Sequence, residues 1–557
     1  MRYPLEPDRT EMESLAETVL ARAVGFVNEL QERPASLAGV PQAEIRDLQR
    51  RLLAPPPEHP EDLQYILERM AAATDLAVET AGPGYLAYIP GGGLFAGAVA
   101  DLYARATNRY VGMAGTAPGL AALEWSVVRW LADLMGMPEG GGILVSGGSI
   151  ANFAAVVAAR ERLQEDLGAA VVYLTEEAHQ SVAKAVHLAG LPRRALRFVP
   201  CAPDLRMDVG VLETMIASDR RAGLRPFLVV ASAGTTNTGV VDPLTAVADV
   251  AAGSGIWLHV DGAYGGFFRL TARGRALLAG IERADSVTLD PHKSLFAPYG
   301  TGALVVRDLA ALREAHAVSG HYLQDLDKQA VPDAADLGPE LTRELRGLRI
   351  WLPLHLYGVG AFRSALDEKL DLAQHAYRRL SAESALELPW PPTLTVVGLR
   401  MRGRDEAESD QLSRQLLERV NLGRRAFLSS TVVGGRFTVR LAILRTAPIR
   451  TAWTRRWMRS SAQPATWHSA WSARGGRDAL GRCNLRKGRN PRLLTCSPRP
   501  WPAGATAGPS ARRWARSPIR TCRRSRRSPD RAPIVRRGEP WAARRRQEAA
   551  GRRRSGR

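Results

Sequence analysis

Apolar residues between positions 12 and 30 recur at three- and four-residue steps, at Met12, Leu15, Val19, Ala23, Phe26 and Leu30. That spacing predicts an amphipathic helix. The linker LAPPPEHPEDL (53–63) closes this first section, and residues 1–80 are expected to form a helical N-terminal segment. From residue 81 the pattern changes to short apolar runs separated by helical stretches: ILV (143–145), AVVYL (170–174), FLVVA (227–231), IWLHV (256–260), SVTL (286–289) and ALVV (303–306). Runs without polar alternation suit strands covered on both faces, so residues 81–345 predict an α/β domain with a mostly parallel sheet. In such sheets ligands bind at the carboxyl ends of the strands.

After residue 345 the pattern predicts one long helix (346–380), strand-like runs at 394–401 and 427–444, and the helix DQLSRQLLERVN (410–421) between them. Residues 346–444 therefore read as a smaller α+β domain. No internal repeat is visible.

Charge divides the chain at the same place. The total is +20, but residues 445–557 hold 30 Arg and one Lys against four acids, a segment charge of +27, which leaves −7 for residues 1–444. Seven of the 12 Trp also lie in this tail, which has neither helical nor strand period. Its Arg, Ala, Pro, Gly, Ser, Trp and Cys content is what a GC-rich gene yields out of frame. The tail is expected to be disordered and to follow a frameshift near codon 444, leaving the small domain incomplete. Read instead as a genuine basic tail, it would be a nucleic-acid partner surface acting through phosphate contacts and Trp stacking. The body carries Cys201 alone, no metal-ligand spacing, no run of the ~18 apolar residues that span a bilayer, and no apolar leader. A cytoplasmic enzyme without metal is the expectation.

Four features carry candidate chemistry, each at the end of a predicted strand. Ser146-Gly147-Gly148-Ser149 joins a strand to a helix, where free amides, hydroxyls and the helix dipole favour an anion; a plain turn with an N-cap has the same sequence. His179 stands at a helix entry, a position also common for structural histidines. Asp261 ends an apolar strand, where a carboxylate is costly unless paired, although an N-cap role is open to it. Lys293 follows His292 at another strand end, where an amine of lowered pKa can form an imine with an aldehyde. Pyridoxal phosphate requires an imine-forming lysine, a carboxylate for its ring nitrogen, a phosphate cradle and a flat group on the ring. The four features together match these requirements.

With SGGSIAN (146–152), AHQSVAKA (178–185), SAGTTNTGVVDP (232–243), HVDGAYGG (259–266), DPHKSL (290–295), YLAYIPGGG (85–93) and TNRYVG (107–112), the sequence resembles the pyridoxal-phosphate-dependent group II decarboxylases. The resemblance covers residues 10–444. It implies an aspartate-aminotransferase-type fold, an obligate homodimer, and removal of CO2 from an L-amino acid. It further implies that Lys293 bonds the cofactor, Asp261 pairs with the ring N–H, His179 stacks on the ring and Ala263 packs on its other face. Gly148, Ser149 and His292 would surround the phosphate, Thr236 would lie near the cofactor, Tyr88 would line the substrate pocket, and Arg440 would face the substrate carboxylate.

One departure bears on the chemistry. Family members often carry a tyrosine on the loop after the lysine, which returns a proton to Cα. Residues 323–341 contain none; Leu337 stands near its place and Tyr322 borders the loop. His179, His321 or a residue of a second chain are the remaining donors, and release of an aldehyde by oxidative deamination is the alternative outcome.

Overall fold

The computed structural model describes residues 5–163, 167–317 and 329–445. The tail from 446 on, with the expectations of disorder, frameshift and nucleic-acid binding attached to it, lies outside the described residues, as do His321 and Tyr322. Among the described residues, seven strands build the larger sheet: β1 (Gly141–Val145), β2 (Ala170–Thr175), β3 (Leu196–Val199), β4 (Arg225–Ser232), β5 (Trp257–Asp261), β6 (Ser286–Leu289) and β7 (Gly302–Val306). Their order is β1-β7-β6-β5-β4-β2-β3.

The pairs from β3 through β6 are parallel, and β7 opposes both β6 and β1. Because β1 and β6 both oppose β7, β1 runs with the parallel strands, and the carboxyl ends of β1, β2, β4, β5 and β6 reach one edge. Alternate residues serve opposite faces. Val229, Leu258, Val260, Val287 and Leu289 enter one apolar core, while Leu228, Val230, Trp257 and Leu304 enter another beneath the helix Gly148–Glu161.

The second sheet holds β8 (Leu386–Glu387), β9 (Val396–Met401), β10 (Ser429–Val433) and β11 (Arg436–Ala442) in the order β10-β11-β9-β8, all antiparallel. The apolar run 427–444 is thus a hairpin. It reverses at Gly434-Gly435, both of positive φ. Helix Glu406–Leu422 and the later half of helix Leu348–Ser381 supply Leu416, Val420, Ala373 and Ala376 to the core of this domain. The long helix is interrupted at Gly358, where φ is 74°.

Other features also depart from the sequence reading. Arg445, assigned to the tail by composition, is buried and donates to the carbonyls of Gly91 and Gly92. The amphipathic helix is present as Arg9–Glu29, capped by Asp8, but none of its residues is buried in the single chain. Met12, Leu15, Val19, Leu20, Val24 and Val27 face outward.

Candidate active site

Chain segments leaving the common strand edge converge on a cavity of about 310 Å³. Ser146, Gly147, Gly148 and Ser149 follow β1, His179 follows β2, Thr236 follows β4, Asp261 ends β5 with Ala263 just beyond, and His292 and Lys293 follow β6; all of them line the cavity. Their grouping is a consequence of topology, since strands of one direction end on one side.

Each side chain is fixed by neighbours. The Ser146–Ser149 turn feeds the helix that starts at Gly148, whose Gly148 and Ser149 amides have no partner within the helix, while the Ile150 amide turns back to the Gly147 carbonyl at 3.0 Å. At Gly302 of β7 a Cβ would stand 2.4 Å from the Cα of Gly147, so glycine is required there for the turn to seat against the sheet. Asp261, only 7 % exposed, accepts from the Ala263 amide at 3.1 Å and from Asn152 Nδ2 at 3.0 Å. The Nδ1 of His179 accepts from the Ser181 amide at 3.3 Å and lies 2.7 Å from the Ser181 hydroxyl. In the neutral ring the proton therefore sits on Nε2.

Lys293 Nζ lies 2.9 Å from Asp290 Oδ2. His292 donates from Nδ1 to the Thr301 carbonyl at 2.7 Å, and its Nε2 is 3.6 Å from Asp290. Burial pushes the His292 imidazole below its ordinary value, with Lys293 adding to the effect and Asp290 opposing it. The short turn carrying this pair is held from above by the Gly92 amide on the His292 carbonyl at 2.6 Å, and by the Gly93 and Leu94 amides on Phe296. A Cβ at Gly92 would meet Phe296 backbone at 2.1 Å, so this contact also requires glycine.

Two residues expected at the substrate do not line the cavity. Arg440 is buried and donates to the Asn237 carbonyl at 2.6 Å, the Ser429 hydroxyl at 3.0 Å, the Tyr88 carbonyl at 3.3 Å and the Thr236 carbonyl. Burial pushes its guanidinium down to about 10, still charged at neutral pH. It ties β11 to the Thr236 loop and to the Tyr88 segment. The Tyr88 ring is 57 % exposed and tilted against Phe427. Leu337, near the expected loop tyrosine, is buried in the core that contains Ile143 and Val145. Conversely, Asn152, Ser181 and Asp290 line the cavity without having been singled out. All three lie inside the quoted motifs; Asn152 finds its partners at distant positions, whereas Ser181 also touches the nearby His179 and Asp290 pairs with the nearby Lys293.

Residues 46–402 match the pyridoxal-dependent decarboxylase conserved domain. The chain belongs to that family. A relative from Bacillus atrophaeus, an aromatic-L-amino-acid decarboxylase, is 32 % identical over 451 residues, which span 79 % of this chain and 93 % of the relative. A phenylacetaldehyde synthase from Arabidopsis thaliana is 29 % identical over 407 residues, 70 % of this chain and 83 % of its own. The crystal structure of Catharanthus roseus tryptophan decarboxylase in complex with L-tryptophan superposes with a TM-score of 0.75 at 26 % identity, covering 83 % of this chain and all (100 %) of that one. The fold is accordingly the aspartate-aminotransferase type, and the protein is a pyridoxal-phosphate-dependent amino-acid decarboxylase.

The residues of the decarboxylase cavity fit the cofactor on the structure's own terms. A Cβ at Gly148 would lie 3.2 Å from the Ala263 side chain and 3.0 Å from Asp290, so the bare glycine keeps the cradle open. Hydroxyls, first-turn amides, a lysine amine and a buried carboxylate form the donor and acceptor set that a phosphate, an aldehyde and a ring N–H need. Among the described residues no cluster suited to a metal ion occurs, and no helix is long and apolar enough to cross a membrane.

Behind Asp261, burial pushes the His259 imidazole from 6.5 down to about 4. The unfolded chain takes up a proton below 6.5 that the folded state refuses until about 4, so His259 removes stability as pH falls through that window and removes no more below it. Asp242, pushed up to about 6 by burial, acts in the opposite direction but is common to any pair of proteins differing only at His259. Urea denaturation across this pH range is expected to show a shallower acid-side loss of stability in His259→Gln than in wild type. Equal slopes would contradict it.

Proposed function

We propose that the substrate is an aromatic L-amino acid and that the cavity residues hold the cofactor in the roles their positions suggest. Lys293 would bond its aldehyde, Asp261 would meet its ring N–H, His179 and Ala263 would cover the two ring faces, Ser146, Gly147, Gly148, Ser149 and His292 would surround its phosphate end, and Thr236 would lie near the cofactor and His179. The observation that supports this is the convergence of amine, carboxylate, imidazole and Ser/Gly turn on one cavity. The aromatic preference draws support from the named relatives and from Tyr299, whose ring lies 5.5 Å from His292 with Gly91 packed directly beneath it.

When bound, pyridoxal phosphate supplies an electron sink for the pair released from the Cα–carboxylate bond. Asp261 keeps the ring nitrogen's proton in place while that charge develops, in a site dry enough to strengthen the pairing. Asp290 positions the Lys293 amine. His179 keeps Nε2, opposite the nitrogen that faces Ser181, clear of that contact and would be the donor at Cα, passing on a proton taken up from solvent.

A second reading has its own support. Residues 323–341 lack a tyrosine, and one relative is a phenylacetaldehyde synthase, so some turnover that consumes O2 and water and ends in an aldehyde, CO2, ammonia and hydrogen peroxide is the alternative product route. We also propose a homodimer, because the apolar stripe of helix Arg9–Glu29 has no cover within the chain. A cytoplasmic location is in keeping with the single body cysteine, Cys201, and cell fractionation tests it.

With added pyridoxal phosphate, wild-type protein is expected to become irreversibly labelled at Lys293 on borohydride treatment, and Lys293→Ala to remain unlabelled and lose turnover by at least about 10³-fold. Label at another lysine would refute the assignment. Product analysis with tryptophan, tyrosine and phenylalanine is expected to give the amine and CO2 in large excess over aldehyde; a dominant aldehyde would select the second reading. In sedimentation velocity the protein is expected to run as a dimer, and the double variant Leu15→Glu, Val19→Glu to shift toward monomer. A wild-type monomer at all concentrations would exclude the dimer.

A further inference from the structure

The face of the larger sheet beneath helix Gly148–Glu161 is mostly apolar but carries a polar strip along β5 and β6. Trp257, His259 and Asp261 lie on that face from β5, and Ser286 and Thr288 from β6, because their alternate neighbours Leu258, Val260, Val287 and Leu289 fill the opposite core. Asn152 comes down onto the strip from the helix and is 1 % exposed; His259, Ser286 and Thr288 are completely buried. Polar groups this deep are costly unless every one is bonded. Here all are bonded, and the bonds run in one direction.

The indole Nε1 of Trp257 can only donate, and it donates to Ser286 Oγ at 2.8 Å. The Ser286 hydrogen is thereby left for His259 Nδ1, 2.8 Å away. An imidazole accepting at Nδ1 carries its proton on Nε2, and that nitrogen faces Asn152 Oδ1 at 3.0 Å. Thr288 donates to the same oxygen at 2.6 Å. The amide nitrogen of Asn152 then donates to Asp261 Oδ2 at 3.0 Å and to Ser181 Oγ at 2.9 Å. Turning the amide over would set N–H against N–H at His259 and oxygen against carboxylate at Asp261, so its orientation is fixed. Ser181 in turn contacts His179 Nδ1.

We propose that Asn152 is a positioning residue for decarboxylation, the last member of a one-way hydrogen-bond relay from Trp257 through Ser286 and His259 that aims the Asp261 carboxylate at the cofactor's ring N–H and links it through Ser181 to His179. This rests on the pairing of Asp261 with the ring nitrogen. Donors in series polarise one another in a dry interior, so the outer members act on a carboxylate they never touch. Asn152 has no direct contact with the reacting atoms; its effect passes through Asp261 and His179.

The test compares two cofactors, pyridoxal phosphate and its analogue in which the ring nitrogen is replaced by C–H, titrated by fluorescence into wild type, Asn152→Leu and Ser286→Ala. The affinity ratio of the two isolates the contact between Asp261 and the ring nitrogen. Wild type is expected to prefer pyridoxal phosphate. Asn152→Leu is expected to shrink that preference about tenfold or more, the effect of losing one hydrogen bond to a charged acceptor, and Ser286→Ala to shrink it by a smaller factor while leaving the analogue's affinity unchanged. Ser286→Ala alters no cavity residue and so carries the test if Asn152→Leu fails to fold. A wild-type preference kept intact in the variants, with both cofactors weakened equally, overturns the relay. Equal affinities in wild type overturn the pairing of Asp261 with the ring nitrogen, and the relay with it.

Discussion

A carboxylate held at the end of a buried strand must be surrounded by donors, and much of the decarboxylase's large domain can be understood from that requirement at Asp261. The strand before it is apolar on one face and polar on the other, with Trp257, His259 and Asp261 in a row. The helix covering that polar face begins in a Ser/Gly turn, and this close approach is what brings Asn152 within 3.0 Å of Asp261. One helix thus offers its free amides to the cavity at its first turn and its Asn152 side chain to the carboxylate beneath. Leaving such a buried group without one hydrogen-bond partner typically costs about 1–3 kcal/mol or more, which makes the polar strip as much a condition of folding as of chemistry.

The small domain meets the same site by a different route. Arg440 on β11 reaches the carbonyls of Thr236, Asn237 and Tyr88, and Ser429 on β10 both accepts from Arg440 and receives the Tyr88 amide at 2.9 Å. Two strands of one domain therefore grip a loop of the cavity and the Tyr88 segment. A guanidinium suits the task because its fork can serve several carbonyls at once.

How much of this was legible in the sequence depended on the range of the interaction. The six apolar runs became strands, because covering on two faces leaves a local mark. β3 was missed: its Leu196, Arg197 and Phe198 sit at the sheet edge and are not fully buried, so LRFV shows no apolar run. The hairpin β10–β11 read as one run, since only Gly434-Gly435 separates its strands. Residues of the cavity were readable where the motif itself ends a strand. Asn152 was not, although it lies within SGGSIAN, because an asparagine in a helix has no local signature and its partners come from residues 181, 259, 261 and 288. Arg440 shows the converse: its motif suggested a substrate contact, and the partners it has within the chain, the Ser429 hydroxyl and three backbone carbonyls, leave no trace in sequence.

The burial of Arg445 keeps within the folded body at least one residue beyond the point where composition changes. Its guanidinium holds the carbonyls of Gly91 and Gly92, and the Gly92 amide holds the carbonyl of His292, next to Lys293. Three short links thus connect the last described residue to the amine at the centre of the site. A change at Arg445 would therefore reach the lysine through a single glycine.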